Sequence, residues 1–203
     1  MPRVMLVMTS WLTLVGVSLA GEFNEKLKIG DSAPAWVDLP GTDGKKHSLA
    51  DLKEKEVVVV VFTCNSCPVA NDYEARLMAF AKKYAGDDSK TAVVAINVNT
   101  VPEDRLDKMK LRAAKQKYNF AYLYDETQKI AREFGASYTP EYFVLDKNRK
   151  VVYMGAMDDT SIEKNVKVNY LEPAVEAAAK AEKPTIAETR ARGCLIRFKR
   201  ERE

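Results

Sequence analysis

The sequence predicts an α/β fold in which helices flank a central mixed sheet. Two long apolar runs, 57–62 and 91–98, are typical of strands buried on both faces. A helical pattern at 69–84 separates them, and a strand, a crossover helix and a second buried strand form a parallel pair. Two more strands, 142–146 and 150–154, are joined by a tight turn and add antiparallel pairing. The sheet is therefore expected to be mixed.

The other elements follow from the same patterns. A short alternating strand and a hairpin turn precede the first buried run. Gly135 is placed to end a helix, and Pro173 is expected to break or restart the last, alanine-rich helix. In chain order, these elements are a strand at 35–39, a turn at 40–46, a helix from 99–104 to about 118, a strand at 120–124, a helix ending at 135 and a helix at 162–181.

Residues 1–20 have the pattern of a secretory signal peptide. A short basic start precedes a mostly apolar stretch at 4–19, and Ser18 and Ala20 are small residues at the two positions that a signal peptidase reads. We expect cleavage after Ala20, a secreted or periplasmic protein and no stable membrane span. An uncleaved anchor is the alternative, but about sixteen residues with polar interruptions are short for a span.

Length and composition indicate one domain of an ordinary globular protein. The 203 residues suit a single domain, expected at 21–183, and a C-terminal tail at 184–203. The net charge of +3 is close to balanced, so we expect no nucleic-acid partner. The basic end of the tail carries interleaved glutamates and is expected to be a solvated terminus.

Cys64 and Cys67 follow the first buried strand and begin a helix, and they are the candidate catalytic residues. The first amide groups of a helix carry partial positive charge and favour an anion. We expect the pKa of Cys64 to fall from about 8.5 to roughly 6.5, which makes a thiolate available at neutral pH. Cys64 would then attack a disulfide, and Cys67 would resolve the mixed disulfide.

Two other interpretations of the cysteine pair remain open. The first is a structural disulfide. It would add little stability, because closing so short a loop removes little entropy from the unfolded chain. A zinc site would need four ligands, which means Cys64, Cys67, Cys194 and the single histidine together. That histidine, His47, lies in a polar, turn-rich stretch and is expected on the surface. We therefore predict no metal and no cofactor.

Two motifs carry a resemblance to a known family: F-T-C-N-S-C-P at 62–68 and T-P-E-Y-F-V-L-D at 139–146. From about 28 to 181 the chain resembles the thioredoxin-like superfamily, in the redoxin branch related to alkyl hydroperoxide reductase and thiol-specific antioxidant proteins. The resemblance implies a three-layer sandwich and a cis peptide bond before Pro140, lying against the cysteines. It also implies that Thr139 offers backbone groups to an incoming peptide or thiol, so Thr139 and Pro140 are the candidate substrate-binding residues.

The chain departs from that family at the cysteine pair. Thr63 stands where thioredoxins commonly have Trp, and Asn65 and Ser66 replace Gly-Pro. The Thr that precedes the reactive cysteine of peroxiredoxins by three residues is absent, since Val61 precedes Cys64 at that spacing. Because these residues tune reduction potential, the direction of electron flow does not follow from the sequence.

The cysteine pair and the resemblance predict an exported thiol-disulfide oxidoreductase that acts on protein thiols or disulfides and is reset by a redox donor. The alternatives are a thiol peroxidase with antioxidant activity, and a chaperone that binds a soft metal through Cys64 and Cys67. Cys194 is a candidate additional thiol: a buried small side chain, a link to another protein or a second resolving thiol. Asp72 and Glu74 are near enough in sequence to accept a proton from Cys67.

Overall fold

The strands and helices surround one central sheet in a computed structural model that describes residues 21–86 and 88–199. The predicted signal peptide at 1–20 lies outside the described residues. The strands are β1 (Leu39–Pro40), β2 (Lys46–His47), β3 (Val57–Phe62), β4 (Thr91–Asn97), β5 (Ala121–Tyr124), β6 (Tyr138–Thr139), β7 (Glu141–Leu145), β8 (Val151–Gly155) and β9 (Cys194–Leu195). The helices are α1 (Pro68–Tyr84), α2 (Leu106–Gln116), α3 (Lys129–Phe134) and α4 (Leu171–Ala179). Among these described residues, no helix combines the length and apolarity that a membrane span needs.

The central sheet has the strand order β5-β4-β3-β7-β8. β3 lies in the middle, parallel to β4 and antiparallel to β7, and β4 is parallel to β5. All residues of β3 and β4 are buried, as their apolar runs predict. The predicted mixed sheet is therefore confirmed, and α1 is the crossover between its two central parallel strands.

Alternate residues of β3 build two cores, one on each face of the sheet. Val58 and Phe62 pack with Phe134 of α3 on one face. Val59 and Val61 pack with residues of α1 and α4 on the other. The resulting three layers confirm the α/β sandwich and hold the end of β3 rigidly at the edge where α1 begins.

The last helix is shorter than predicted. α4 covers Leu171–Ala179, and Pro173 lies in its first turn, where backbone N–H groups need no partner within the helix. The proline therefore lies at the start of the helix, so of the break and the restart that the sequence left open, the structure has the restart. At the end of α3, Gly135 adopts a φ of 66°, and the predicted glycine C-cap is confirmed.

The C-terminal segment, residues 191–199, packs against the fold and does not form a loose tail, whereas the end with the interleaved glutamates, 200–203, lies outside the described residues. Its strand β9 pairs with β6. Ile196 is only 6% exposed and belongs to the core on the α3 face. The Gln128 side chain donates to the Arg197 carbonyl and accepts from the Lys199 N–H. These contacts bring residues far apart in the sequence to the end of β3.

Candidate redox site

Cys64 and Cys67 lie in the loop between β3 and α1, which we call the redox turn (63–68). This is the predicted strand-to-helix position. Cys67 is the N-cap of α1, and Pro68 is the first helical residue. The Cys67 Sγ accepts a hydrogen bond from the Ala70 N–H at 3.3 Å. The free amide groups of the helix start therefore reach the second cysteine of the pair.

A buried carboxylate holds the two residues between the cysteines. Asp104 is fully buried and accepts from the Ser66 N–H at 2.8 Å and from the Ser66 hydroxyl at 2.6 Å. Asn65 donates to the Glu103 carbonyl at 2.8 Å and accepts from the Tyr122 hydroxyl at 3.1 Å. The sequence did not indicate this contact of Asp104, since a contact across 38 positions leaves no local pattern.

The loop at Pro140 lies against both sulfurs. The Thr139–Pro140 peptide bond is cis, as the resemblance implies. The Cys67 thiol donates to the Thr139 carbonyl at 3.0 Å, and the Thr139 hydroxyl lies 3.6 Å from the Cys64 Sγ. Thr139 thus contacts each cysteine through a different group, and it forms one wall of the site.

Cys194 is the third sulfur of the site. Its Sγ lies 2.6 Å from the Cys67 Sγ, and it is paired with Thr139 in the β6–β9 register. All three cysteines are free thiols. The terminus thus folds back over the pair and places Cys194 where a second resolving thiol would lie.

The pKa values of the two paired thiols move in opposite directions. The hydrogen bond from Cys64 lowers the pKa of Cys67 to about 4 against the opposing effect of burial, with help from Cys194, Thr139 and the Ala70 N–H. The same hydrogen bond raises the pKa of Cys64, and burial and the negative charge of Asp104 add to the rise. The Thr139 carbonyl favours protonated Cys67, but the donors around this sulfur outweigh that single acceptor. The expectation that the pKa of Cys64 falls is therefore wrong.

Several residues that the sequence placed near the pair have other partners. Asp72 is exposed, and Glu74 accepts from the Arg112 guanidinium. His47 hydrogen-bonds Asp43 at 3.0 Å in the β1–β2 hairpin, away from the cysteines. Within residues 21–86 and 88–199, no group of three or more His, Cys, Asp or Glu side chains is arranged to hold a metal ion. The four-ligand zinc set therefore does not assemble.

Glu141 is a buried acid that sequence reasoning missed. It follows Pro140 directly, and its carboxylate accepts from the Ser137 N–H at 2.8 Å and the Tyr138 N–H at 3.0 Å. Burial raises the pKa of Glu141 to about 7, although the two backbone hydrogen bonds oppose the rise. Glu141 thus fixes the backbone of β6, on which the redox turn and the C-terminal segment meet. Its place directly after the T-P pair is the only sequence signal.

Comparisons with known proteins support the fold and indicate a family. The sequence pattern described as "AhpC/TSA family" matches residues 29–154. Peroxiredoxin Bcp of Escherichia coli (strain K12) is 26% identical over 157 residues, which cover 71% of this chain and 96% of that protein. A hypothetical protein from Sinorhizobium meliloti 1021 has a TM-score of 0.79 at 32% identity, covering 87% of this chain and 97% of that one. A thiol:disulfide interchange protein of the thioredoxin family from Chlorobium tepidum TLS, with a TM-score of 0.57 at 21% identity over 73% of this chain and 96% of that one, shares the fold alone.

Proposed function

The chain belongs to the AhpC/TSA family of redoxin-type oxidoreductases, and we propose that Cys64 and Cys67 are its redox-active pair and exchange disulfides with protein thiols. The supporting observation is the environment of Cys67. It caps α1, accepts the Ala70 N–H and has a pKa lowered to about 4 chiefly by the hydrogen bond from Cys64. A thiolate held beside a second thiol is what disulfide exchange requires.

In this proposal Cys67 attacks and Cys64 resolves, the reverse of the order expected from the sequence. The Cys67 thiolate attacks a substrate disulfide, a mixed disulfide forms, and one substrate sulfur leaves as a thiolate. Cys64 then attacks the Cys67 Sγ, and the second substrate sulfur leaves with the proton that Cys64 releases. The products are a Cys64–Cys67 disulfide and a reduced substrate. The contact between Cys67 and Cys194 supports the assignment, because it marks where another sulfur can approach Cys67.

Substrate would bind at Thr139 and Pro140. The backbone of β6 pairs with the extended strand β9, so an extended peptide that carries a cysteine would take the same edge by replacing β9. We propose protein thiols or disulfides and a redox donor as partners, and sulfur chemistry without a cofactor. Export after cleavage at Ala20 is part of the proposal, and the leader pattern at 1–20 supports it.

Thiol peroxidase activity is the second candidate. The similarity to peroxiredoxin Bcp favours it, and so does burial, since Cys64 and Cys67 are only 4% and 1% exposed and a peroxide is much smaller than a protein disulfide. In that reaction the Cys67 thiolate attacks the O–O bond, water leaves and a sulfenic acid forms. A second thiol then displaces water and forms a disulfide.

One pair of assays on the mature chain, 21–203, separates the two activities. We expect the protein, with a dithiol as donor, to reduce insulin disulfides faster than it consumes hydrogen peroxide. Cys67→Ser should abolish both reactions. The double variant Cys64→Ser/Cys194→Ser should trap a mixed disulfide between Cys67 and the substrate, because no neighbouring thiol remains to resolve it. Faster turnover of peroxide than of insulin would assign the peroxidase, and a mixed disulfide trapped on Cys64 would contradict the proposed order of attack.

A further inference from the structure

The C-terminal segment occupies the edge of β6 that ends at the cis proline. β9 runs antiparallel to β6 with Cys194 opposite Thr139, and the Ile196 N–H donates to the Ser137 carbonyl at 2.9 Å. Addition of an extended segment to a free strand edge is a common mode of peptide recognition. The chain's own terminus therefore lies where a partner peptide would pair.

Gly193 permits the close approach of this segment. A Cβ at position 193 would overlap the carbonyl oxygen and carbon of Thr139 and would lie 3.1 Å from the Pro140 nitrogen. The obstacle is backbone, which cannot rotate away as a flexible side chain can. The segment thus reaches Thr139 because residue 193 has no side chain.

Contacts on both sides of Cys194 hold the segment in place. Before it, the Arg192 guanidinium donates to the Asp159 carbonyl at 3.1 Å. After it, the buried Gln128 amide donates to the Arg197 carbonyl at 3.0 Å and accepts from the Lys199 N–H at 2.7 Å. Cys194 is thereby fixed against the redox turn and is not part of a loose tail.

The three sulfurs differ in how easily a molecule outside the protein can reach them. Cys64 and Cys67 are buried, whereas Cys194 is half-buried beside Leu195, which is 66% exposed. The Cys67 and Cys194 sulfurs are 2.6 Å apart, close to the roughly 2.05 Å of a disulfide bond. Cys194 is therefore both in contact with the buried pair and accessible from solution.

We propose that Cys194 is a third redox thiol that carries electrons between external thiols and the buried pair; this inference rests on the proposed function of Cys64 and Cys67. In the oxidised protein the Cys194 thiolate attacks the Cys67 Sγ. The Cys67–Cys194 bond forms, the Cys64–Cys67 bond breaks, and Cys64 takes up the proton that Cys194 lost. An external dithiol then attacks the Cys194 Sγ, releases Cys67 as a thiolate and closes its own disulfide, which leaves all three cysteines reduced.

A disulfide map of the mature chain tests this proposal. The protein is oxidised with a small disulfide, free thiols are alkylated, and the peptides are identified by mass spectrometry. In Cys64→Ser we expect a Cys67–Cys194 disulfide in nearly all molecules. In Cys194→Ser we expect a Cys64–Cys67 disulfide that an added dithiol reduces about tenfold more slowly than in the unmodified protein, because the exposed sulfur is missing.

A glycine pair supplies the matched control. Gly193→Ala in the Cys64→Ser background should slow formation of the Cys67–Cys194 disulfide about tenfold, because the new methyl group overlaps the backbone of Thr139. Gly86→Ala should leave that rate unchanged, since no atom lies within 4 Å of its Cβ.

Two results would overturn the proposal. One is alkylation of both Cys67 and Cys194 in oxidised Cys64→Ser, and the other is an unchanged reduction rate in Cys194→Ser. The function proposed for the pair has its own measurement, because a Cys64–Cys67 disulfide in Cys194→Ser forms without any contribution from Cys194. Its absence there would count against the redox pair, while the map of Cys64→Ser still reports on Cys194.

Discussion

The redox turn and the C-terminal segment bring sulfur to the same place by different means. In the turn, a helix start and the buried Asp104 carboxylate fix two thiols that solvent barely reaches. In the segment, long-range hydrogen bonds from Gln128 fix one thiol at the edge of the protein. The turn stabilises a thiolate, and the segment provides access. Thr139 contacts both regions, so it is the point at which they can influence each other.

Cys64 and Cys67 show the same contrast within the turn. Cys67 accepts hydrogen bonds from Cys64 and the Ala70 N–H, which lower its pKa, whereas the pairing with Cys67, burial and the charge of Asp104 raise the pKa of Cys64. The order of the cysteines along the chain therefore does not decide which one ionises first. What decides it is chiefly the hydrogen bond from Cys64 to Cys67, to which Cys194, Thr139 and the Ala70 N–H add smaller contributions.

The largest expected effect is loss of the thiolate. Cys67→Ser should lower the rate of insulin reduction by about three orders of magnitude or more, as removal of a nucleophile commonly does. Cys194→Ser, outside the turn, should keep the first exchange step with a small disulfide. The rates are compared in single-turnover reactions of the reduced proteins. Equal losses of rate in Cys67→Ser and Cys194→Ser would contradict the different roles given to the redox turn and the C-terminal segment.

Glu141 lies at the junction of the two regions, and its raised pKa predicts that the free energy of unfolding depends on pH. Burial raises its pKa from 4.5 to about 7, so the stability that it contributes is full below pH 4.5 and is lost as pH rises through about 7. The loss amounts to about 3 kcal/mol. Glu141→Gln should therefore gain about that much relative to the unmodified protein between pH 4.5 and 8, as measured by denaturant unfolding. The exposed Glu182→Gln is the control, and a constant difference across this range would contradict the raised pKa.

Substitutions of Asp104 test which interactions fix the redox turn in place. Asp104→Ala leaves the partly buried Ser66 N–H without its acceptor and should lower the free energy of unfolding by about 1–3 kcal/mol. Asp104→Asn keeps an acceptor but removes the negative charge, so it should lower the pKa of Cys64 and shift the alkylation profile of that thiol to lower pH. Asp107→Asn, which is exposed, serves as control. An unshifted profile in Asp104→Asn would mean that Asp104 acts on the turn by hydrogen bonding alone.

A substitution of Gln128 tests which interactions fix the C-terminal segment in place, and it has the smallest expected effect. Gln128→Asn keeps a residue that tolerates the left-handed backbone at this position, φ 63°, but shortens the amide that holds the segment. The Ile196 amide should then exchange its hydrogen about tenfold faster, since local opening becomes easier. Gln116→Asn, on an exposed helix surface, should leave this exchange unchanged. Unchanged protection in Gln128→Asn would mean that β-pairing alone holds the segment.

Much of the fold could be predicted from the sequence because its signals are local. The apolar run of β3, the amphipathic pattern of α1 and the glycine after α3 each depend on neighbouring residues. Together they placed the cysteine pair at a strand-to-helix turn and indicated a mixed sheet. The length of α4 was missed because Pro173 fits a helix start as well as a helix break.

The rest of the site depends on contacts between distant parts of the chain. Cys194 meets Cys67 across 127 positions, and Asp104 meets Ser66 across 38. Charged residues near the C-terminus suggested a solvated tail, although Ile196 anchors the segment in the core. The predicted order of the two cysteine pKa values was wrong for a related reason. That order depends on hydrogen bonds whose geometry only the folded chain defines.

The most direct test of the thiolate assignment is the pH titration of thiolate absorbance in the reduced protein and its single-cysteine variants. We expect an inflection near pH 4 that is absent from Cys67→Ser and present in Cys194→Ser. An inflection that survives in Cys67→Ser and disappears in Cys64→Ser would contradict it, because the thiolate would then belong to the first cysteine of the pair.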